Sequence, residues 1–236
     1  MAGFSRKNAN QRRYKRQQKG RRKLTLELHL IRHGETDWNR ERRVQGQSES
    51  QLTALGIQQA QELGQRIRHI EFDKIYCSSS LRTRQTAEHA FGNGETEINY
   101  LDELREIFLG PWEGHLYADL AQREPESHQH FWQQPHLFQV AGAESFFDLQ
   151  QRAVDAVADI ETTHKKNAST APKIAIVSHG ALIKSYLCHV EGRSMDQLWE
   201  PPRMHNCAHS IVAIGANDGN SVASILQYAD QPVNGE

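Results

Sequence analysis

Two apolar runs end the same way. "LHLIRHG" (Leu28 to Gly34) and "KIAIVSHG" (Lys173 to Gly180) each run into a histidine followed by glycine, and no other feature constrains the chain as much. Short runs of leucine and β-branched residues read as strands buried on both faces, and such strands belong to parallel sheets covered by helices. In an open parallel sheet, ligands sit beyond the carboxyl ends of the strands. If the two strands are neighbours, His33 and His179 arrive at one edge, where glycine lets the backbone turn close to a ligand.

The segments between them fit that scheme. "LTLELHLI" alternates and then runs apolar, as a central strand does. "LTALGIQQAQELGQRI" predicts a helix capped by Thr53, with Leu52, Ile57, Ala60, Leu63 and Ile67 on one face. "DKIYCSS" predicts a short strand and "SLRTRQTAEHAF" a helix. "ESFFDLQQRAVDAVADI" predicts an amphipathic helix that buries Phe146, Leu149, Ala153, Val157 and Ile160 behind a Ser145–Asp148 capping box. "ALIKSYLCHV" is helical, and "SIVAIGANDGNSVASILQY" is two strands about a turn. The expected fold is α/β: a three-layer sandwich with a mostly parallel central sheet flanked by helices.

Residues 112–143 break the rhythm. They hold "HQHFWQQPHLF", rich in His, Gln and aromatics, and read as a lid-like insertion over one end of the sheet. The spacing of His128 and His130 suits a strand rather than a helix. With His136 they lack a carboxylate or cysteine to complete a metal shell, so they read as surface or lid histidines and no metal site is assigned.

Charge divides the chain. Residues 1–23 hold ten of the 28 Lys and Arg and no acid, which leaves 18 basic against all 29 acidic side chains from Leu24 onward. A segment so poor in aliphatic residues buries too little to offset its ordering entropy. We therefore expect a disordered basic tail (1–23) before one domain (24–236). The tail reads either as a solvated leader or as a weak contact for RNA or another polyanion. No apolar run approaches a membrane span and no apolar stretch follows the basic start, so neither membrane insertion nor a secretory signal is expected. Cys77, Cys188 and Cys207 show no metal-type spacing. They point to free thiols in a reducing, cytoplasmic setting. Nothing in the sequence implies a cofactor or an oligomeric state.

Arg32 adjoins His33, and Arg82 opens the helix after the second strand. A helix N-terminus at Gly180 follows His179 and favours an anion. Two arginines, two histidines and a helix end make a cradle for phosphate. A neutral imidazole attacks phosphorus and leaves a labile phosphohistidine, and nearby cations keep His33 neutral. Glu106, in "LREIFLGPWEG" after a short strand, can protonate the leaving oxygen. Singly, each residue is ordinary. A lone buried histidine is more often core, Glu106 a solvated loop charge, Arg82 an exposed helix residue and Trp112 packing. Order and spacing together carry the signal.

"LIRHGETDWN", "VQGQSESQLTALGIQQA", "SSSLRTRQTAE", "LREIFLGPWEG", "AGAESFFDLQQR" and "VSHG", in this order from about Leu26 to Tyr228, resemble the histidine phosphatase superfamily, the phosphoglycerate mutase-like proteins. The resemblance implies that His33 is the phosphorylated nucleophile and that Arg32, Arg82 and His179 form the phosphate pocket. It implies that Asn39 also contacts phosphate and that Glu106 is the acid and base. Gln45 and Gly46 fall in the family's substrate-facing loop. Glu144 and Arg152 match an element read as mainly structural, and Asn206 and Cys207 a segment that closes the pocket. There are departures. Ser80 stands where the family often has leucine, and Gln47 where glycolytic mutases usually carry tryptophan. The span from Glu106 to His179 is shorter than a mutase's longer insertion.

The implied function is metal-independent hydrolysis of a small phosphomonoester. The alternatives are mutase-type phosphotransfer and a non-enzymatic RNA- or ribosome-associated module. Arg123 is the only Arg or Lys between Glu106 and Arg152. A lid so poor in cations suggests a monophosphate on a modest polar or partly apolar body.

Overall fold

The computed structural model describes residues 23–92, 94, 96–164, 171–217 and 220–233. The basic tail, and with it the expected disorder and polyanion contact, lies outside the described residues except for Lys23. That residue opens the first strand, β1 (Lys23–Arg32).

After β1 come α1 (Asp37–Glu41), α2 (Ala54–Ile67), β2 (Lys74–Ser78), α3 (Leu81–Phe91) and β3 (Ile98–Leu101). Then follow α4 (Tyr117–Arg123), α5 (Pro125–Gln133), α6 (Phe146–His164), β4 (Lys173–Ser178) and α7 (Gly180–Glu191). The chain closes with β5 (His209–Asn217), β6 (Asn220–Tyr228) and β7 (Gln231–Pro232). The sheet order is β3-β2-β4-β1-β5-β6-β7. β3, β2, β4 and β1 pair in parallel. β5, β6 and β7 join by antiparallel pairings. Five of the seven strands run one way, yet the sheet is mixed, because the two residues that separate β5 from β6 are too few for a parallel crossover.

β1 lies between β4 and β5, which explains its apolar character. Leu26, Leu28 and Leu30 enter one core with α6 and α7, and Ile31 enters the opposite core with Ala60, Leu63 and Ile67 of α2 and Ala87 of α3. Helices thus cover both faces in three layers. The predicted caps form. Thr53 Oγ1 accepts from the Gly56 amide at 3.0 Å, and Ser145 and Asp148 exchange bonds at 3.1 and 3.2 Å. One position on the α2 face differs. Ile57 is half-buried, while Gly56 is buried because its backbone abuts the Glu35 carbonyl, where a Cβ would collide.

The insertion is helical. His128 and His130 lie on α5, not on a strand, because Pro125 starts that helix and Phe131 anchors it. Phe131 packs among Trp112, Phe138, Phe146 and Trp199 at centroid distances of 5.2 to 5.9 Å. Trp112 is fully buried, as a packing residue should be. Among the described residues, no helix is long and apolar enough to cross a membrane. The three cysteines are buried and unpaired.

Candidate active site

Parallel register delivers the two histidines together. Arg32 pairs with Ser178 at the ends of β1 and β4, and the His33 amide extends the ladder to the Ser178 carbonyl at 3.0 Å. The His33 and His179 rings lie 5.3 Å apart. Gly34 has a reason other than the turn expected of it. A Cβ there would strike the Gly56 carbonyl, so glycine admits the N-terminal end of α2 against the loop.

His33 is buried, and its Nδ1 lies 2.7 Å from the Gly34 carbonyl. A carbonyl only accepts, so Nδ1 carries the proton and Nε2 keeps a lone pair. Burial first, then the charges of Arg82 and Arg32, hold the imidazole well below the usual histidine range. His33 lines a cavity of about 700 Å³.

The two arginines are held differently. Arg82 is fully buried. It donates to the carbonyls of Ser48 and Gly46 at 2.9 and 2.7 Å and, through Nε, to Nδ1 of His179 at 3.2 Å. Burial lowers its guanidinium to about 10, which leaves it charged at neutral pH. Arg32 donates to the Met204 carbonyl at 2.6 Å, and its buried Nε has no partner among the described residues. Gly180 makes room for it, since a Cβ there would come within 3.2 Å of that Nε.

His179 departs from expectation. Its Nδ1 accepts from Arg82, its Nε2 lies 2.8 Å from Ser78 Oγ, and it is not among the residues that line the cavity. Being fully buried with both nitrogens engaged, it stands behind Arg82 rather than in the cradle. The N-terminus of α7 departs as well. The Ala181 and Leu182 amides, expected to face phosphate, donate to the Glu106 carboxylate at 3.0 and 3.1 Å, and the Ile107 amide adds a third bond at 3.0 Å. The helix end therefore orients the Glu106 carboxylate. Glu106 is the only carboxylate among the described residues lining the cavity.

The loop carrying Glu106 is clamped. Arg152 grips both oxygens of Glu144 at 2.9 and 2.8 Å, and donates to the carbonyls of Glu103, Arg105 and Glu106. Glu144 in turn accepts from the Phe108 amide at 3.0 Å. This is the structural role read for the pair. Gln47 adds a bond to the Glu106 carbonyl at 3.1 Å.

Asn39, Gln45, Gly46 and Gly180 all line the cavity. Asn39 Oδ1 accepts from the Thr36 amide and from Asn206 Nδ2, at 3.2 and 3.3 Å, so its amide hydrogens remain as donors. Gln45 Oε1 accepts from the Thr36 and Ser50 hydroxyls. Gly46 has φ +52° and turns its carbonyl to Arg82. Asn206 and Cys207 do not close the pocket. Asn206 Nδ2 and the Cys207 amide bond the His33 carbonyl at 3.2 and 3.3 Å, and neither residue lines the cavity.

Sequence reading missed much of the cavity wall. Trp38, Tyr117, Phe131, Trp132 and Trp199 form an aromatic side, and Arg42, Arg43, Lys184 and Arg203 add cations. Residues 112–143 are poor in cations, but the cavity is not, because its charge arrives from three other segments. Arg203 lies three residues before Asn206, which the sequence had singled out. Nothing in the local pattern marks Tyr117 or Lys184. Enclosure, with the negative charge of Glu106, pushes the Tyr117 phenol above its usual range. Burial brings Lys184 down to about 8.

Three comparisons bear on this site. The pattern of the Histidine phosphatase superfamily (branch 1) matches residues 28–225. Over 133 residues the chain is 37% identical to "Probable phosphoglycerate mutase GpmB" of Salmonella choleraesuis, covering 56% of this chain and 62% of that protein. Over 178 residues it is 31% identical to "Adenosylcobalamin/alpha-ribazole phosphatase" of Escherichia coli K12, covering 74% of this chain and 83% of that one. The solved structure of Bacillus stearothermophilus YhfR superposes with a TM-score of 0.80 at 38% identity, over 87% of this chain and 98% of that one.

Proposed function

Because the chain belongs to the histidine phosphatase superfamily (branch 1), we propose that it is a metal-independent phosphomonoester hydrolase that works through a phosphohistidine at His33 on a small phosphorylated metabolite. One observation carries this reading. His33 is held neutral, with Nδ1 tied to Gly34 and Nε2 left as a nucleophile, in a cavity with Arg32, Arg82 and Glu106.

In the first step Nε2 attacks phosphorus, the P–O ester bond breaks, and Glu106 gives its proton to the departing oxygen. Arg32 and Arg82, fixed before the reaction, meet the charge that spreads over the phosphoryl oxygens. In the second step Glu106 takes a proton from water, the water oxygen bonds to phosphorus, and the P–N bond breaks to release phosphate. Asn39 donates to the same oxygens. Gln45, Gly46 and Gly180 shape the cradle, and His179 acts through Arg82. The helices α4 and α5 present Tyr117, Phe131 and Trp132 to the body of the substrate as a specificity element.

Phosphate release from a panel of phosphomonoesters, with EDTA present, tests the reading. Wild type should be active and His33→Ala inactive. Activity that persists in that variant sinks the mechanism. The likeness to a probable phosphoglycerate mutase favours one second reading, phosphotransfer within phosphoglycerate. Isomerisation in place of phosphate release would establish it.

A further inference from the structure

We propose that the substrate carries a second anionic group, a carboxylate or a second phosphate, and that Arg42 and Arg203 bind it at the cavity rim. This rests on the phosphatase reading and deepens it by naming the class of substrate.

The argument is one of charge and partners. Among the described residues, six cationic side chains line the cavity, Arg32, Arg42, Arg43, Arg82, Lys184 and Arg203, against Glu106 alone. Glu106 already faces three amides. Arg32 and Arg82 belong to the transferred phosphoryl group. Arg43 is paired with Glu41 at 2.9 Å and bonded to the Gly114 carbonyl at 2.6 Å. Lys184 is held by the carbonyls of Glu200 and Pro202 at 2.5 and 3.2 Å. Neither the Arg42 nor the Arg203 side chain makes a hydrogen bond or ion pair among the described residues, and both residues are exposed.

Their placement is not casual. Arg42 ends α1 with φ +57°, a conformation uncommon for a residue with a side chain. Its amide bonds the Asn39 carbonyl at 3.2 Å, and its carbonyl accepts from the Tyr117 amide at 3.1 Å. Its root is therefore fixed between a cradle residue and the insertion. Arg203 lies between the Pro202 carbonyl that holds Lys184 and the Met204 carbonyl that holds Arg32. A phosphomonoester with a neutral body leaves both rim cations facing only water. A second anion answers them with charge-assisted hydrogen bonds. The water-facing ends of both side chains suit recognition at the mouth rather than in the reacting centre.

The test uses three esters on one skeleton: glycerol phosphate, phosphoglycerate (a carboxylate replaces one hydroxymethyl group) and glycerol bisphosphate. Phosphate release by wild type should favour at least one of the two doubly anionic esters over glycerol phosphate by about tenfold in kcat/KM, the ratio for one charge-assisted bond. The preferred ester names the source of the second charge. In Arg42→Gln/Arg203→Gln that ratio should fall toward one, and in wild type it should shrink as salt rises. A wild-type ratio at or below one, or a ratio that survives in the double variant, overturns the proposal. Calorimetric titration of His33→Ala with the same esters reads the subsite without turnover. If hydrolysis is absent throughout, the phosphatase reading fails, while tighter binding of the doubly anionic esters still supports the subsite and equal binding sinks it.

Discussion

Nε of Arg82 donates to Nδ1 of His179 at 3.2 Å, and Nε2 of the same imidazole lies 2.8 Å from Ser78 Oγ. The histidine is a spacer that sets the arginine. Arg82 has no freedom left, because its other two nitrogens bond the carbonyls of Ser48 and Gly46.

His179→Ala should therefore act through Arg82. Losing one preorganised donor to a transition state costs about 10²-fold in rate, and kcat/KM should fall by roughly that much. His179→Asn, whose carboxamide oxygen can accept from Arg82, should recover part of the loss. Steady-state kinetics on both variants check this. Equal loss in the two would show that the imidazole itself meets the substrate.

The Glu144–Arg152 clamp makes a second prediction. Lysine lacks the planar fork that lets Arg152 hold Glu144 and three carbonyls at once. Arg152→Lys should lower stability by about 1–3 kcal/mol and reduce kcat more than it raises KM, since the loop it releases carries Glu106. Denaturant melts and kinetics measure the two effects. An unchanged kcat would separate the clamp from the acid.

The pH dependence of activity has a defined sign. His33 must be unprotonated to attack, and burial with Arg82 and Arg32 holds it well below the ordinary histidine value. Deprotonation is thus complete at neutral pH and persists as pH falls through about 6.5, the unperturbed value. The kcat/KM profile should show no loss of His33 reactivity at that pH. An acid limb with a midpoint there, matched by titration of the His33 imidazole at the same pH in wild-type NMR spectra, would contradict the assignment.

Stability should fall on the acid side for a related reason elsewhere. On the sheet, His29 bonds His209 at 2.9 Å and Glu27 at 2.9 Å. Burial, aided by His29 and Arg66, brings His209 down to about 3. Its folded-state value is depressed, so between about 6.5 and that value the unfolded chain binds more protons. Stability then declines as pH falls, by roughly 1.4 kcal/mol per pH unit for each fully shifted histidine. Urea melts across this window should give a shallower slope for His209→Gln than for wild type. Parallel slopes would remove His209 from the account.

The parts of this protein written in contiguous residues were legible. β1 and β4 announce themselves as apolar runs, Thr53 and Ser145 cap the helices they were read to cap, and His33, Arg32, Arg82 and Glu106 fall in the cavity their motifs implied. Each depends on spacing within a few residues, where the rules of helix, strand and turn act. The withdrawal of His179 behind Arg82, the capture of the α7 amides by Glu106, and the need for glycine at position 34 were not legible. Neither were the cations Arg42, Lys184 and Arg203 in one cavity. Those facts join residues from distant segments. Only the register of β1 on β4, the approach of α2 to the Gly34 loop, and the return of the 200–207 segment past the strand ends bring them together. Local chemistry determined which groups were offered, and packing decided which of them meet.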